Sequence, residues 1–197
     1  HFYIDIICMK FTNEIKNGEI ILIEGQPYRV ISVVKHAGAA KMSGVVHLKL
    51  KNLKTLSETD KRFRPDEKIE DVTLEKRNME YIYAEGDNYY FMDQTTYEQI
   101  PITGKILGPI VKFLQPNITL PVEFFNGEPI NVIFPETITL KVKTTGSGVK
   151  GDSDVVWKSA ILENDMEINV PPFIEVGDTV KINVYTGEYI ERVKEKS

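Results

Sequence analysis

The chain has 197 residues, a formal net charge of −5 and one cysteine, Cys8. With 42% hydrophobic and 27% charged residues it reads as globular, not disordered. The lone cysteine excludes an intrachain disulfide framework and fits a reducing, cytoplasmic compartment. No run approaches the ~20 apolar residues of a membrane helix. The acidic balance argues against a general phosphate-coating protein but leaves room for a local basic patch.

Residues 1–8 lack the basic flank and small-residue cleavage site of a signal peptide. Met9 follows them, and they are expected to be an extension outside the fold. Residues 20–23 form a short apolar run closed by Glu24-Gly25-Gln26-Pro27, and residues 28–34 are rich in β-branched and aromatic types. Residues 45–50 read as the next strand. Between them lies His36-Ala37-Gly38-Ala39-Ala40-Lys41-Met42-Ser43-Gly44, a hairpin tip longer than the usual ~2–5 residues. Its small residues predict a slim finger from which one long charged side chain, Lys41, projects.

Residues 58–71 are highly charged and poor in apolar types, so a surface excursion is expected there. Residues 79–83 and 89–92 flank the turn Glu85-Gly86-Asp87-Asn88. Short helical turns are predicted near 97–100 and 106–114, limited by Pro101, Gly104, Gly108 and Pro109. Asn126-Gly127 between two apolar runs is a stronger hairpin signal, because both residues tolerate positive φ. A new strand opens at 138–142, and a last hairpin spans 180–193. Short strands at this density predict an all-β chain of small barrels, with seams around 71–76 and 135–137.

Residues 146–153 are Gly-rich, yet they lack the strand–loop–helix setting and closing Lys-Ser/Thr of a phosphate loop, which argues against nucleotide binding. His1, His36 and His47 have no metal-ligand spacing, and Cys8 has no partner, so neither metal nor cofactor is expected. No Gly-x-Ser-x-Gly word occurs and no spacing pairs two carboxylates, which favours a protein that is not an enzyme. Lys49, Lys51, Lys54, Lys61, Arg62 and Arg64 cluster in the first third, as solvated strand residues or as a local RNA patch.

Several words in fixed order carry a family resemblance. They are Asn17-Gly18-Glu19-Ile20-Ile21 with Gly25-Gln26-Pro27-Tyr28-Arg29-Val30, then Lys49-Leu50-Lys51-Asn52-Leu53-Lys54-Thr55, then Tyr81-Ile82-Tyr83 with Phe91-Met92-Asp93. Val170-Pro171-Pro172-Phe173-Ile174, Gly177-Asp178 and Thr186-Gly187-Glu188-Tyr189-Ile190-Glu191-Arg192 complete the series. Along nearly its whole length the chain resembles bacterial translation elongation factor P. The resemblance implies three small β-barrels: an SH3-like (KOW-type) domain over 1–75 and two OB-type domains over 76–137 and 138–197. It implies a cytoplasmic monomer that binds the ribosome beside the peptidyl-tRNA and promotes peptide-bond formation at proline-rich stalls.

The same resemblance assigns residues. Lys41 begins a gapless match, Lys41 to Leu50, with the segment that starts at the family's tip lysine, which a lysine-modifying enzyme extends in many members. The usual Lys-Pro-Gly-Lys approach is replaced by Lys35-His36-Ala37-Gly38-Ala39-Ala40-Lys41, about three residues longer and without proline. Lys35 is the weaker alternative for the tip. Gly38 and Gly44 serve either a close approach of loop backbone to RNA or plain flexibility. Gly151 and Asp152 match a third-domain loop that contacts messenger RNA at the exit site. Nearby, Trp157-Lys158-Ser159-Ala160 departs from a Lys-Pro-Ala pattern, and Asp165 stands in place of Gly. Tyr189 and Arg192 match residues that act toward the small subunit, with cross-strand packing as the plainer role. Two alternatives stand beside this reading. One is a diverged paralogue for another stalling context. The other is an OB-type single-stranded nucleic-acid binder away from the ribosome, stacking bases on Tyr89, Tyr90 and Phe91.

Overall fold

The computed structural model describes residues 5–39, 44–146 and 157–194, and these build three antiparallel sheets in chain order. The first contains β1 (Ile6–Phe11), β2 (Ile20–Ile23), β3 (Gln26–His36), β4 (Val45–Asn52), β5 (Glu58–Phe63) and β6 (Lys68–Thr73), in the spatial order β1-β6-β2-β3-β4-β5. The second contains β7 (Glu75–Glu85), β8 (Asn88–Asp93), β9 (Gln99–Thr103), β10 (Thr119–Phe125) and β11 (Glu128–Val132), ordered β11-β10-β7-β8-β9. The third contains β12 (Thr137–Thr145), β13 (Lys158–Leu162), β14 (Glu167–Val170), β15 (Thr179–Asn183) and β16 (Tyr189–Val193), ordered β14-β13-β12-β15-β16. Helix is confined to α1 (Gly104–Leu107) and short 3₁₀ turns, one of them Gly108–Phe113.

Alternation in the strands supplies the cores. In β4, Val46, Leu48 and Leu50 are buried while Val45 and Lys49 are exposed, and they close on Ile15, Ile21, Val30 and Ile69. Two-residue turns set the register. Glu24-Gly25 joins β2 to β3 and Asn126-Gly127 joins β10 to β11, all four residues with positive φ. That geometry matches the right-handed strand twist. Apart from Phe125 and Ile130, which pack with the first sheet, the buried residues of the second and third sheets form one continuous cluster that runs from Met79 to Val184.

Three expectations are corrected here. Residues 6–8 belong to β1, where Ile6 pairs with Thr73, Ile7 with Val72 and Cys8 with Asp71. Ile6, Ile7 and Met9 remain exposed, so ladder hydrogen bonds hold this edge strand, not apolar burial. Lys10 Nζ adds contacts to Glu19 at 3.0 Å and Asp71 at 3.2 Å. Residues 58–71 are no excursion: β5 pairs with β4, and β6 lies between β1 and β2 with Ile69 and Val72 buried. An edge strand buries little on either side, which explains the charged reading of β5.

The turn expected to be helical near 97–100 is a hairpin connection into β9. Asp93 Oδ1 accepts hydrogen bonds from the Thr95 and Thr96 amides at 2.7 and 3.1 Å, and Tyr97 takes φ 61°. The carboxylate turn replaces helical bonding, as short Asx side chains do. The helical turns predicted over 106–114 fall within α1 and the 3₁₀ turn that follows it.

Candidate functional site

The finger rests on the longest ladder of the first sheet. β3 has eleven residues and pairs with β4 from Tyr28–Asn52 out to His36–Val45. The strands therefore run two residues farther on the β3 side than composition suggested. A bulge between Val30 and Ser32 bends β3 at its base. Lys41 lies outside the described residues. Lys35, the alternative, is exposed at the hairpin end, and its Nζ folds back to donate to the Asn13 carbonyl. Its amine is thus engaged with the body of the sheet.

The two finger glycines differ. Gly38 is exposed in the closing segment. A Cβ at Gly44 would run into the His36 carbonyl oxygen and sit 3.2 Å from the Gly38 amide nitrogen. The close approach of the His36 backbone leaves no room for a side chain at Gly44, a structural reason that sequence reasoning missed.

The basic cluster near the finger base is partly neutralised within the chain. Lys49 Nζ meets Glu58 at 3.0 Å, and the hydrogen bond that the ammonium donates to this carboxylate holds its pKa above the usual lysine range. Arg64 pairs with Asp66 at 3.1 Å, and Lys54 lies 5.7 Å from the Phe125 ring centroid. Arg62 Nε donates to His47 Nε2 at 2.6 Å across the β4–β5 ladder. His47 and Arg62 thus form one outward polar pair below the finger.

In the third sheet, Tyr189 stands opposite Ile182 and Arg192 opposite Val180. Residues three apart fall on opposite faces of a regular strand, but a bulge in β16 brings these two to the same face. Their surroundings differ. Tyr189 is half-buried against the shared core. Arg192 is exposed, 3.6 Å from Asp178 and with its guanidinium 5.6 Å from the Phe173 ring centroid. Tyr189 also lines an open cavity of about 570 Å³ with Trp157, Glu167, Asn169 and Gly187. Gly151 and Asp152 lie outside the described residues.

The aromatic set weighed for base stacking does not share a face. Phe91 is fully buried and Tyr89 packs on the core, while Tyr90 stacks on Tyr83 with centroids 4.6 Å apart. Glu80 and Glu85 stand on the same outer face as that pair, which opposes a phosphate backbone. Among the described residues, no group of three His, Cys, Asp or Glu side chains is placed to hold a metal, and no helix is long and apolar enough to cross a membrane.

Three family models match the chain in order: the elongation factor P KOW-like domain over residues 12–69, the OB domain over 74–132 and the C-terminal domain over 138–192. Elongation factor P of Moorella thermoacetica is 41% identical over 182 residues, covering 92% of this chain and 98% of that protein. The Clostridium perfringens protein of the same name is 35% identical with the same coverage. A solved structure of translation initiation factor 5A from Methanococcus jannaschii superposes with a TM-score of 0.55 at 17% identity, over 64% of this chain and 95% of that one, a likeness of fold. The fold is accordingly all-β, a KOW-like N-terminal domain followed by two OB-type domains. Matched across all three sheets, the chain belongs to the elongation factor P family.

Proposed function

We propose that this protein is a translation elongation factor that docks on the ribosome beside the peptidyl-tRNA and promotes peptide-bond formation where consecutive prolines stall it. The observation that carries the reading is the finger. The β3–β4 ladder stays paired as far as His36–Val45, on either side of the stretch that contains Lys41 in the sequence, and Lys35 is tied back to Asn13. Family membership supplies the setting. The protein works as a cytoplasmic monomer without cofactor or catalytic group. Its domains are divided near residues 75 and 137.

The physics is entropic. A docked body holds the finger against the peptidyl end and keeps the reactants in an aligned geometry. Lys41 places a cation near the phosphates of the tRNA acceptor end, with or without extension by a lysine-modifying enzyme. Gly151 and Asp152 face messenger RNA at the exit site, and Arg192, with Tyr189 packed behind it, faces the small subunit.

The test is synthesis of a proline-run reporter against a proline-free control. The protein should speed the first and leave the second nearly unchanged. Lys41→Ala should fold and bind ribosomes yet lose most of the rescue. Loss in Lys41→Arg as well, with added mass on the native peptide containing Lys41, identifies an essential modification. Full rescue by Lys41→Ala would refute the assignment. The longer, proline-free approach to Lys41 favours one second reading, a paralogue for another stalling context, and reporters with non-proline stalls separate the two.

A further inference from the structure

The first and second sheets meet through a small apolar cluster: Ile20, Leu22, Leu53, Val72 and Leu74 against Phe125 and Ile130. Apolar contact is non-directional, so these side chains hold the sheets together without choosing one angle between them. At the margin of the cluster lies a polar group of another kind. Arg29 Nη2, on β3, donates to Glu123 Oε1, on β10, at 2.9 Å. Asn131 Nδ2, on β11, donates to the same oxygen at 2.7 Å. Arg29 Nη1 also donates to the Gly18 carbonyl at 3.2 Å, which holds the guanidinium against its own sheet. The Glu123 side chain is only 8% exposed.

Glu123 sits in a strand whose neighbours Val122, Phe124 and Phe125 are all buried. A bulge in the β10–β11 pairing falls between Glu123 and Phe124, and the β3 bulge begins at Val30, next to Arg29. Bulges re-aim side chains, and here they flank both ends of one ion pair. Parting such a pair leaves a carboxylate with little water and no countercharge, so interdomain angles that separate it are disfavoured.

We propose that Arg29, Glu123 and Asn131 form a directional latch that fixes the angle of the finger-bearing sheet on the middle sheet, and so positions the finger. The positioning role rests on the function proposed above; the geometric role does not. From Arg29 to His36 the strand extends roughly 23 Å by its rise per residue. A tilt of ~10° at the latch therefore moves the hairpin end by ~4 Å, whereas misplacement by ~1 Å can change the rate of an aligned reaction by ~10²-fold. Arg29, Glu123 and Asn131 are positioning residues in this scheme, not groups that touch the reacting ends.

The test is a distance measurement in the full chain. With Cys8→Ser, spin labels at Asp60→Cys on the first sheet and Glu98→Cys beside the second report their separation by pulsed dipolar resonance. The parent should give one narrow distribution. Glu123→Gln and, separately, Arg29→Gln should broaden it while the protein stays folded by circular dichroism. The swap Arg29→Glu with Glu123→Arg should narrow it again. An unchanged width in both single variants overturns the latch. In the proline-run assay, Glu123→Gln should lower the rate at saturating protein on the order of tenfold, with recovery in the swap. A broadened variant that is as fast as the parent overturns the positioning role. A parent that never speeds proline runs removes the ribosomal reading instead, and leaves the distance result standing.

Discussion

The two junctions of this molecule are built on different principles. Between the second and third sheets the buried residues are continuous, and Asn164 Nδ2 donates to the Lys112 carbonyl at 3.1 Å. Between the first and second sheets the contact is a separate small cluster, tied at its edge by polar groups: Arg29 to Glu123, Lys54 over Phe125, and the Asn126 amide to Asp5. A shared core couples the stability of two domains, because truncation anywhere in it opens a cavity that both must absorb. A small cluster with directional ties couples orientation more than stability. The chain thus pairs two sheets that share one core with a finger domain joined through a separate cluster and directional ties.

The largest predicted effect separates the two junctions directly. Phe134→Ala should lower stability by about 4 kcal/mol, within the range for truncating a buried aromatic. Hydrogen exchange should quicken together in the second and third sheets. Phe125→Ala, in the smaller cluster, should cost about 3 kcal/mol or less and quicken exchange mainly in β2, β6, β10 and β11. If Phe134→Ala loosens the second sheet alone, the shared core is only a contact and the contrast between junctions fails.

Acid offers a second separation, of smaller size. Burial pushes the Asp93 carboxyl up, but bonds from the Thr95 and Thr96 amides and the charge of Arg77, 3.6 Å away, outweigh it and hold the group below the usual carboxylate range. Arg77 is in turn packed 3.9 Å from the Phe124 ring centroid. A carboxyl depressed by folding stabilises the native state above its unfolded value, near pH ~3.9, and that stability disappears as pH falls through the lower folded value. Asp93→Asn keeps the turn acceptor but removes the charge. It should lose about 2 kcal/mol at neutral pH and flatten the acid limb of a denaturation series. The change should appear in the second and third sheets and leave the interdomain distance unmoved. A matching shift in that distance would mean that the middle sheet transmits angle as well as stability.

What the sequence disclosed follows from the range of the forces involved. Asn126-Gly127 and the alternation in 45–50 are local signals, and each marked its element. β1 stayed hidden because Ile6, Ile7 and Met9 remain more than half exposed, and a strand about sixty residues away supplies its ladder. Glu123 left one trace, a charge inside an apolar run, but its partner Arg29 lies 94 residues away and no spacing rule joins them. At the site, the face shared by Tyr189 and Arg192 depends on a bulge, and the need for Gly44 depends on the close approach of the His36 backbone. Neither is written in local composition.

The smallest predicted effect uses a turn that occurs once in each sheet. In Asn52-Leu53-Lys54-Thr55-Leu56-Ser57, Asp93-Gln94-Thr95-Thr96-Tyr97-Glu98 and Asn183-Val184-Tyr185-Thr186-Gly187-Glu188, the first side chain accepts from the amides two and three residues on. The fifth residue takes positive φ in each, at 63°, 61° and 71°, and its amide returns to the first carbonyl. Only the third turn uses glycine there. A side chain in that region is strained by ~1 kcal/mol, while glycine gives up more freedom on folding. Tyr97 is 71% exposed, so its ring contributes little packing, and Tyr97→Gly should raise stability by about 0.5 kcal/mol. Gly187→Ala should lower it by about 1 kcal/mol through backbone strain, because the added methyl meets nothing nearer than Met166 Cε at 3.8 Å. Both sites lie in the two-sheet body, so both changes should shift the thermal midpoint and leave the width of the finger domain's distance distribution alone. A loss of stability in Tyr97→Gly would show that the exposed ring does more for the folded state than its strained backbone takes away.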